Sequence, residues 1–336
     1  MATLDCSVDG VTSAAKSGYR GRLAPSPTGY LHVGHARTFW VAWQRAREAG
    51  GTLVMRMEDL DPDRSRKEYA DAALEDLGWL GMRWDEGPDV GGPLGPYAQS
   101  ERGALYRAAF EALRAGGWIY PCRCSRKDLA AALSAPHEGA EPDPLDDEPV
   151  YPGTCRVLIR AEMPGTHDEL VGPNASGSGH KTLVGEAGAN WRFRVPDGEA
   201  IEFVDGNLGP QRFVAGVDFG DFVVMRRDGV PGSPRTGPRP WGGGVPSYQL
   251  ACVVDDAAMQ ITEVVRGADL LKSTARQMLL NRALGYVDPQ WFHCGLVTDE
   301  NGKRLAKRND ALSIRTLRER GWTAEQVLSS QAAPAE

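Results

Sequence analysis

Apolar residues recur along this chain with two different periods, and the changes of period mark its elements. Residues 19–24 read as a short strand. It runs into a loop and helix start, "PSPTGYLHVGHAR", over residues 25–37. Between residues 35 and 49, Ala36, Phe39, Trp40 and Trp43 fall at helical spacing, and Gly50-Gly51 closes that helix where positive φ is cheap. Residues 52–57 predict a second strand. Strand, helix and strand in succession predict a parallel pair whose ligands gather at the carboxyl ends, where Glu58, Asp59 and Asp61 follow. Ser65 and Glu68 have capping-box spacing ahead of Tyr69, Ala73, Leu74 and Leu77. Residues 100–115, with Tyr106, Phe110 and Leu113, predict a further helix, and Gly78 and Gly116-Gly117 stop the two helices.

The pattern fails at Ala130. Ala, Pro, Asp and Glu dominate to Pro149, and Gly, Ser and Asn dominate residues 172–190, so both stretches predict loops. Strand patterning returns at residues 191–195, 201–204, 221–226 and 248–254. Between the last two, "PGSPRTGPRPWGGG" (residues 231–244) suits neither a helix nor a central strand. Residues 273–284 predict a helix, and a charged stretch and a weakly patterned tail end the chain. There is no internal repeat.

With 336 residues, 41% of them apolar, the chain can bury a substantial core and form two or three compact units. Its net charge of -7 argues against a broadly polybasic nucleic-acid coat, so any RNA contact is local. Six cysteines are too few for a disulfide scaffold, and Cys122 and Cys124 are too close in sequence for a routine bridge, which predicts a reducing cytoplasm. No apolar run has the length of a signal segment or a membrane span, and residues 1–18 read as a disordered leader.

Chemistry concentrates in three places. The amino terminus of the first helix offers unpaired N–H groups and a positive dipole end to a phosphate chain. His32 and His35 can add hydrogen bonds there, while Gly29 and Gly34 let backbone approach a ligand. Spacing alone fits two surface histidines equally well. Downstream of Asn301-Gly302, Lys303, Arg304, Lys307 and Arg308 make a cationic loop; alone, such a cluster is ordinarily a solvated face. Finally, Cys122, Cys124 and Cys155 are three thiolates toward a tetrahedral zinc site, with His137 or a carboxylate available as the fourth ligand.

Together "HVGH" and "RLAKR" resemble the HIGH and KMSKS motifs of class I aminoacyl-tRNA synthetases. "GRLAPSPTGYLHVGHAR" and "RMEDLDPDR" resemble the glutamate-specific branch of that family. The likeness continues through "YAQSERGALYRAAFEALRAGGWIYPCRCSRKDL" and "VPSYQLACVVDDAAMQITEVVRGADLL", over most of residues 21 to about 311. It implies an α/β fold: a Rossmann-like doubly wound parallel sheet, an inserted zinc-containing acceptor-type subdomain and a short helical carboxyl-terminal region. Core halves would span residues 19–120 and 216–300, the insert 121–215, and the KMSKS-like loop with a short helical segment 301–330.

The resemblance also assigns residues. ATP, with Mg²⁺, would be held by His32, Gly34, His35, Arg304 and Lys307, with His32, His35 and Lys307 acting on the α-phosphate. The basic motif departs from the family at two positions, where Arg304 replaces a lysine and Ala306 a serine. Glutamate, one ammonium and two carboxylates, needs an acid and forked cations. The family's contacts fall on Arg22, Leu23, Ala24, Pro25, Ser26, Glu58, Tyr248 and Arg266. A short relative's zinc module of Cys-x-Cys followed by Tyr-x-x-x-Cys favours Tyr151 as the ligand beside Cys122, Cys124 and Cys155.

About thirty residues follow the basic motif, too few for the helical anticodon-binding domain of a full glutamate enzyme. The chain therefore resembles the family's truncated branch, which transfers glutamate onto queuosine in the anticodon loop of tRNA(Asp). A monomer acting in the cytoplasm is expected. The residues leave open a truncated enzyme charging tRNA(Glu), a different HxGH nucleotidyltransferase and an inactive RNA-binding relic. Inserts 172–190 and 231–244 exceed what the family pattern needs; Arg235 and Arg239 in the second are candidate RNA contacts.

Overall fold

The computed structural model describes residues 18–124, 128, 150–156, 188–227, 244–295 and 313–329. Lys307, Arg304, Ala306, His137, Arg235 and Arg239 lie outside the described residues.

Strands β1 (Arg20–Leu23) and β2 (Thr52–Met55) pair in parallel from Arg20↔Thr52 to Leu23↔Met55. Helix α1 (Val33–Glu48) connects them, burying Val33, Ala36, Phe39, Ala42 and Ala46. Trp40 and Trp43 stack on each other at 4.8 Å, partly buried at the edge of that face. The double glycine after α1 answers two separate demands. Gly50 takes φ +60, and a Cβ on Gly51 would stand 2.4 Å from the Tyr19 carbonyl oxygen.

The helix expected after Ser65 is present as α2 (Lys67–Trp79), but the capping box is not. Arg66 is the N-cap with no side-chain cap bond, and the Ser65 hydroxyl finds no hydrogen-bond partner among the described residues. The Arg66 N–H is drawn instead to the Pro27 carbonyl at 2.9 Å, so the loop after β1 sets where α2 begins. The expected helix at 100–115 is split into a 3-10 turn, Gln99–Glu101, and α3 (Gly103–Ala115).

Strands β3 (Ile119–Cys122), β4 (Asn190–Phe193), β7 (Phe222–Arg226) and β8 (Val245–Pro246) form an antiparallel sheet in that order. A second sheet runs β6–β5–β10–β9. It comprises the hairpin β5 (Ala200–Asp205) and β6 (Gly209–Val214), β9 (Glu263–Gly267) and β10 (Gln290–Cys294). β10 is parallel to both β9 and β5. Although the hairpin falls within the 121–215 stretch, it pairs with β10 through Trp291↔Asp205.

β1 lies against β9. The Thr262 N–H donates to the Arg20 carbonyl at 2.9 Å, and the Arg22 guanidinium reaches the Val265 carbonyl at 2.8 Å. Both strands advance in the same direction through these contacts, so β1, β2, β9, β10 and β5 present their carboxyl ends on one edge. This is where an α/β sheet receives ligands.

A further expectation is overturned. Residues 248–254 are not a strand but the start of α4 (Tyr248–Ala258), capped by Ser247, whose hydroxyl accepts from the Leu250 N–H. Every residue from Gln249 to Asp256 is buried, so no polar face exposes the 3.6-residue period. α5 (Leu271–Leu284) follows as expected and ends on Gly285 in the left-handed region. α6 (Ile314–Glu319) and α7 (Ala324–Ser329) complete the described chain.

Candidate active site

The amino terminus of α1 is capped by its own histidines. His32 is the N-cap and its Nδ1 accepts from the Gly34 N–H at 3.1 Å; His35 Nδ1 accepts from the His32 N–H at 3.2 Å. The rings lie 3.8 Å apart. Because each Nδ1 is an acceptor, the proton of each neutral imidazole sits on Nε2, making both rings donors through that atom. Imidazole donors at a helix amino terminus, where the dipole is positive, suit a phosphate gaining charge. Beside them, His32 bridges Ser313, and the Ile314 N–H donates to the Leu31 carbonyl at 2.7 Å.

The strand ends beside this loop bring the sequence-predicted glutamate residues together. The Glu58 N–H donates to the Pro25 carbonyl at 2.9 Å, fixing the loop 24–27 against the residues after β2. Arg22 is buried with its Nε 3.6 Å from Asp256 Oδ1. That Nε is buried against Asp256 and makes no hydrogen bond among the described residues, while one terminal nitrogen donates to the Val265 carbonyl at 2.8 Å. Leu23 is 0% exposed within the core, so it offers a ligand no side chain. Tyr248 begins α4 with 37% of its surface exposed. Arg266, on β9, donates through Nε to His293, through one terminal nitrogen to Gln277 (2.8 Å) and through the other to Thr274 (2.6 Å). A guanidinium has five N–H groups, so two remain after these contacts among the described residues.

Beneath Glu58 lies an ionic cluster that the sequence reading missed. Arg56 is 0% exposed; it donates to Asp256 Oδ1 at 2.6 Å and to Glu58 Oε1 at 3.1 Å, and its Nε lies 3.9 Å from Asp255. Asp255 in turn accepts from Arg102 Nε (2.6 Å), Gln99 Nε2 (2.7 Å) and the Tyr106 hydroxyl (2.9 Å). The Cys252 thiol donates to Glu58 Oε1 at 3.5 Å. Burial pushes the Glu58 carboxyl up, against the pull of Arg56 and Arg22. A bound ammonium would oppose that rise and favour the carboxylate. A helical reading would have exposed the cluster: Tyr248, Cys252, Asp255 and Asp256 fall at i, i+4, i+7 and i+8, one face of α4.

A separate group of donors stands at the end of β3. The sulfurs of Cys122, Cys124 and Cys155 lie within 4.8 Å of one another, Cys124 and Cys155 at 3.5 Å. The Tyr151 hydroxyl is 3.4 Å from Cys122 Sγ and 3.5 Å from Cys124 Sγ. Four ligands at zinc–sulfur distances of about 2.3 Å in a tetrahedron stand roughly 3.8 Å apart, so the donor set fits a closed zinc site. Hydrogen bonding from the Cys122 thiol pulls Cys155 down to about 6, and the Arg192 guanidinium, 4.0 Å over the Tyr151 ring, adds positive charge.

The family described as tRNA synthetases class I (E and Q), catalytic domain, matches residues 19–167 and 235–331. The chain is 48% identical over 312 residues to a protein of Symbiobacterium thermophilum named Glutamyl-Q tRNA(Asp) synthetase, covering 93% of this chain and 85% of that one. A protein of the same name from Nitratidesulfovibrio vulgaris is 45% identical, with coverages of 92% and 83%. The solved glutamate-tRNA synthetase of Elizabethkingia anophelis aligns with TM-score 0.62 and 25% identity. That alignment spans 91% of this chain and 54% of the solved one.

Proposed function

Because the chain belongs to the class I tRNA synthetase family of the glutamate and glutamine branch, we propose that it activates L-glutamate with ATP and transfers the glutamyl group to queuosine in tRNA(Asp). The observation that carries this reading is the 48% identity, over 93% of the chain, to a relative named for that reaction. The geometry supports the first half-reaction: donors for phosphate at the start of α1 and a buried array of acids and arginines share one sheet edge.

In the first step an oxygen of the glutamate α-carboxylate bonds to the α-phosphorus of ATP as the bond to the bridging oxygen breaks. The products are glutamyl-adenylate and pyrophosphate, with ATP entering as its Mg²⁺ complex. His32 and His35 donate through Nε2 to the phosphate oxygens, and Lys307, helped by Arg304, supplies cationic charge. Gly34 leaves its backbone clear for the nucleotide. Glu58 accepts from the ammonium, Arg22 and Arg266 take carboxylates, and Tyr248 with the backbone of Leu23, Ala24, Pro25 and Ser26 closes the pocket. Arg56 holds Glu58 in place. Positioning and charge complementarity carry the rate, with no covalent intermediate on the protein. In the second step a hydroxyl of the queuosine cyclopentenediol bonds to the activated carbonyl carbon and loses its proton, and AMP departs.

Cys122, Cys124, Cys155 and Tyr151 hold one structural zinc, whose role is to pin the inserted acceptor-type segment. The enzyme works as a monomer in the cytoplasm, where these thiols stay reduced. Two assays test the reading. Glutamate-dependent ATP–pyrophosphate exchange is expected without any tRNA, and labelled glutamate should reach tRNA(Asp) carrying queuosine but not tRNA(Asp) lacking it. Equal transfer to both, or transfer to tRNA(Glu) alone, would refute it.

A further inference from the structure

One buried chain of hydrogen bonds reaches the candidate site from behind. His293, on β10, is 0% exposed, with Nδ1 2.6 Å from Asp205 Oδ2 and Nε2 3.2 Å from Arg266 Nε. Arg266 Nε is a donor and cannot accept, so His293 Nε2 must be the acceptor and its proton must lie on Nδ1, facing the carboxylate. The second oxygen of Asp205 is occupied: Oδ1 accepts from the backbone N–H groups of Asn207 (3.0 Å), Leu208 (2.9 Å) and His293 (3.2 Å). Asp205 therefore has one rotamer, His293 one tautomer and the Arg266 fork one orientation. Burial and the neighbouring guanidinium push the His293 imidazole down to about 4, which keeps Nε2 able to accept.

We propose that Asp205 and His293 are positioning residues that aim the Arg266 guanidinium at the substrate carboxylate. The inference rests on the reading that Arg266 binds glutamate. Thr274 completes the clamp, accepting from Arg266 at 2.6 Å while its hydroxyl lies 3.2 Å from His293 Nε2. This relay runs from the β5–β6 hairpin through β10 to β9, which gives the hairpin a part in substrate recognition although none of its side chains need touch the ligand.

The discriminating variant is Asp205→Asn. Three backbone N–H groups hold the amide oxygen in the Oδ1 place, so the amide NH₂ must face His293 Nδ1. That turns Nδ1 into an acceptor and moves the ring proton to Nε2, where it opposes the Arg266 Nε–H. In glutamate-dependent ATP–pyrophosphate exchange the KM for glutamate should rise about tenfold, with the KM for ATP within twofold of the parent. ¹⁵N correlation spectra should show the His293 proton shift from Nδ1 to Nε2. His293→Gln, which can present an amide oxygen to Arg266, should stay near parental KM, while His293→Leu should not.

Arg266→Lys separates the two layers of the argument. If it leaves the glutamate KM unchanged, the glutamate-contact reading fails. If it raises that KM while a folded Asp205→Asn does not, the relay fails. Equal rises in both KM values for Asp205→Asn, tracking its loss of thermal stability, would likewise overturn the relay in favour of a plain structural role.

Discussion

Removing the Asp255 carboxylate should cost this protein more stability than any surface ion pair can. Asp255 is 0% exposed and is the shared acceptor of Arg102, Gln99 and Tyr106, with Arg56 behind it. In Asp255→Ala, Arg102 and Arg56 stay buried with less countercharge, and breaking one partner of a buried pair costs about 3–5 kcal/mol. The orphaned donors of Gln99 and Tyr106 would add about 1 kcal/mol each if they found no new acceptor. The expected loss is therefore roughly 5–7 kcal/mol, or about 3–5 kcal/mol if both donors find new acceptors, large against a typical net stability of about 5–15 kcal/mol. Asp255→Asn keeps the shape and one acceptor oxygen but drops the charge, so it should fall between the parent and the alanine variant. Urea unfolding at pH 7 reads both through the shift in midpoint at unchanged slope. A loss below about 1 kcal/mol for Asp255→Ala would show that Asp256 and Glu58 already neutralise the arginines, and the account of the cluster would be wrong.

Other consequences follow from particular groups. Burial lifts the Asp76 carboxyl to about 6, above its unfolded value near 3.8. Its contribution to stability is then full below about pH 4 and is lost as pH rises through 6. Asp76→Asn should flatten the stability profile across that window by roughly 1–2 kcal/mol, since Arg315 and solvent screen part of the effect; unchanged urea midpoints from pH 4 to 7 would contradict this. His35→Ala removes an Nε2 donor and the acceptor of the His32 N–H, and should lower kcat for exchange about 10²- to 10³-fold while the glutamate KM changes little. An equal fall in kcat and rise in that KM would place His35 in the amino-acid pocket instead. One zinc per chain is expected by elemental analysis, lost in Cys124→Ser with a fall in melting temperature; a parent protein purified with zinc in the buffer yet free of it would rule the site out.

The parts of the fold that were legible are those whose faces differ. α1 and α2 each bury one stripe, and β1 and β2 are bounded by turn residues, so period and punctuation sufficed. α4 was misread because burial on every side erases amphipathicity, and β-branched Val253-Val254 beside Cys252 then imitate a strand. That single error hid the ionic cluster, since only helical spacing puts Tyr248, Cys252, Asp255 and Asp256 on one face. The missing capping box has a different cause. Spacing made Ser65 and Glu68 candidates, but the Pro27 carbonyl captured the Arg66 N–H across a loop forty residues away in sequence, a tertiary contact no local pattern encodes.

The same contrast explains why the relay through Asp205 and His293 carries no sequence signal while the HxGH loop does. The loop's histidines act on backbone groups two and three residues away, so their spacing is fixed by helix geometry and is visible in the chain. Asp205 and His293 are 88 residues apart and meet only because β5 and β10 are parallel neighbours. Such a contact depends on register: a one-residue slip of β5 against β10 would turn Asp205 to the opposite face and leave His293 Nδ1 without its acceptor. Asp205 helps to hold that register through the His293 N–H at 3.2 Å, beside the Gly206 N–H, which donates to the Trp291 carbonyl at 2.8 Å. One carboxylate thus contributes to the strand alignment and sets the imidazole tautomer, and Asp205→Asn separates the two, because the isostere keeps the backbone acceptor and changes only the atom facing the ring.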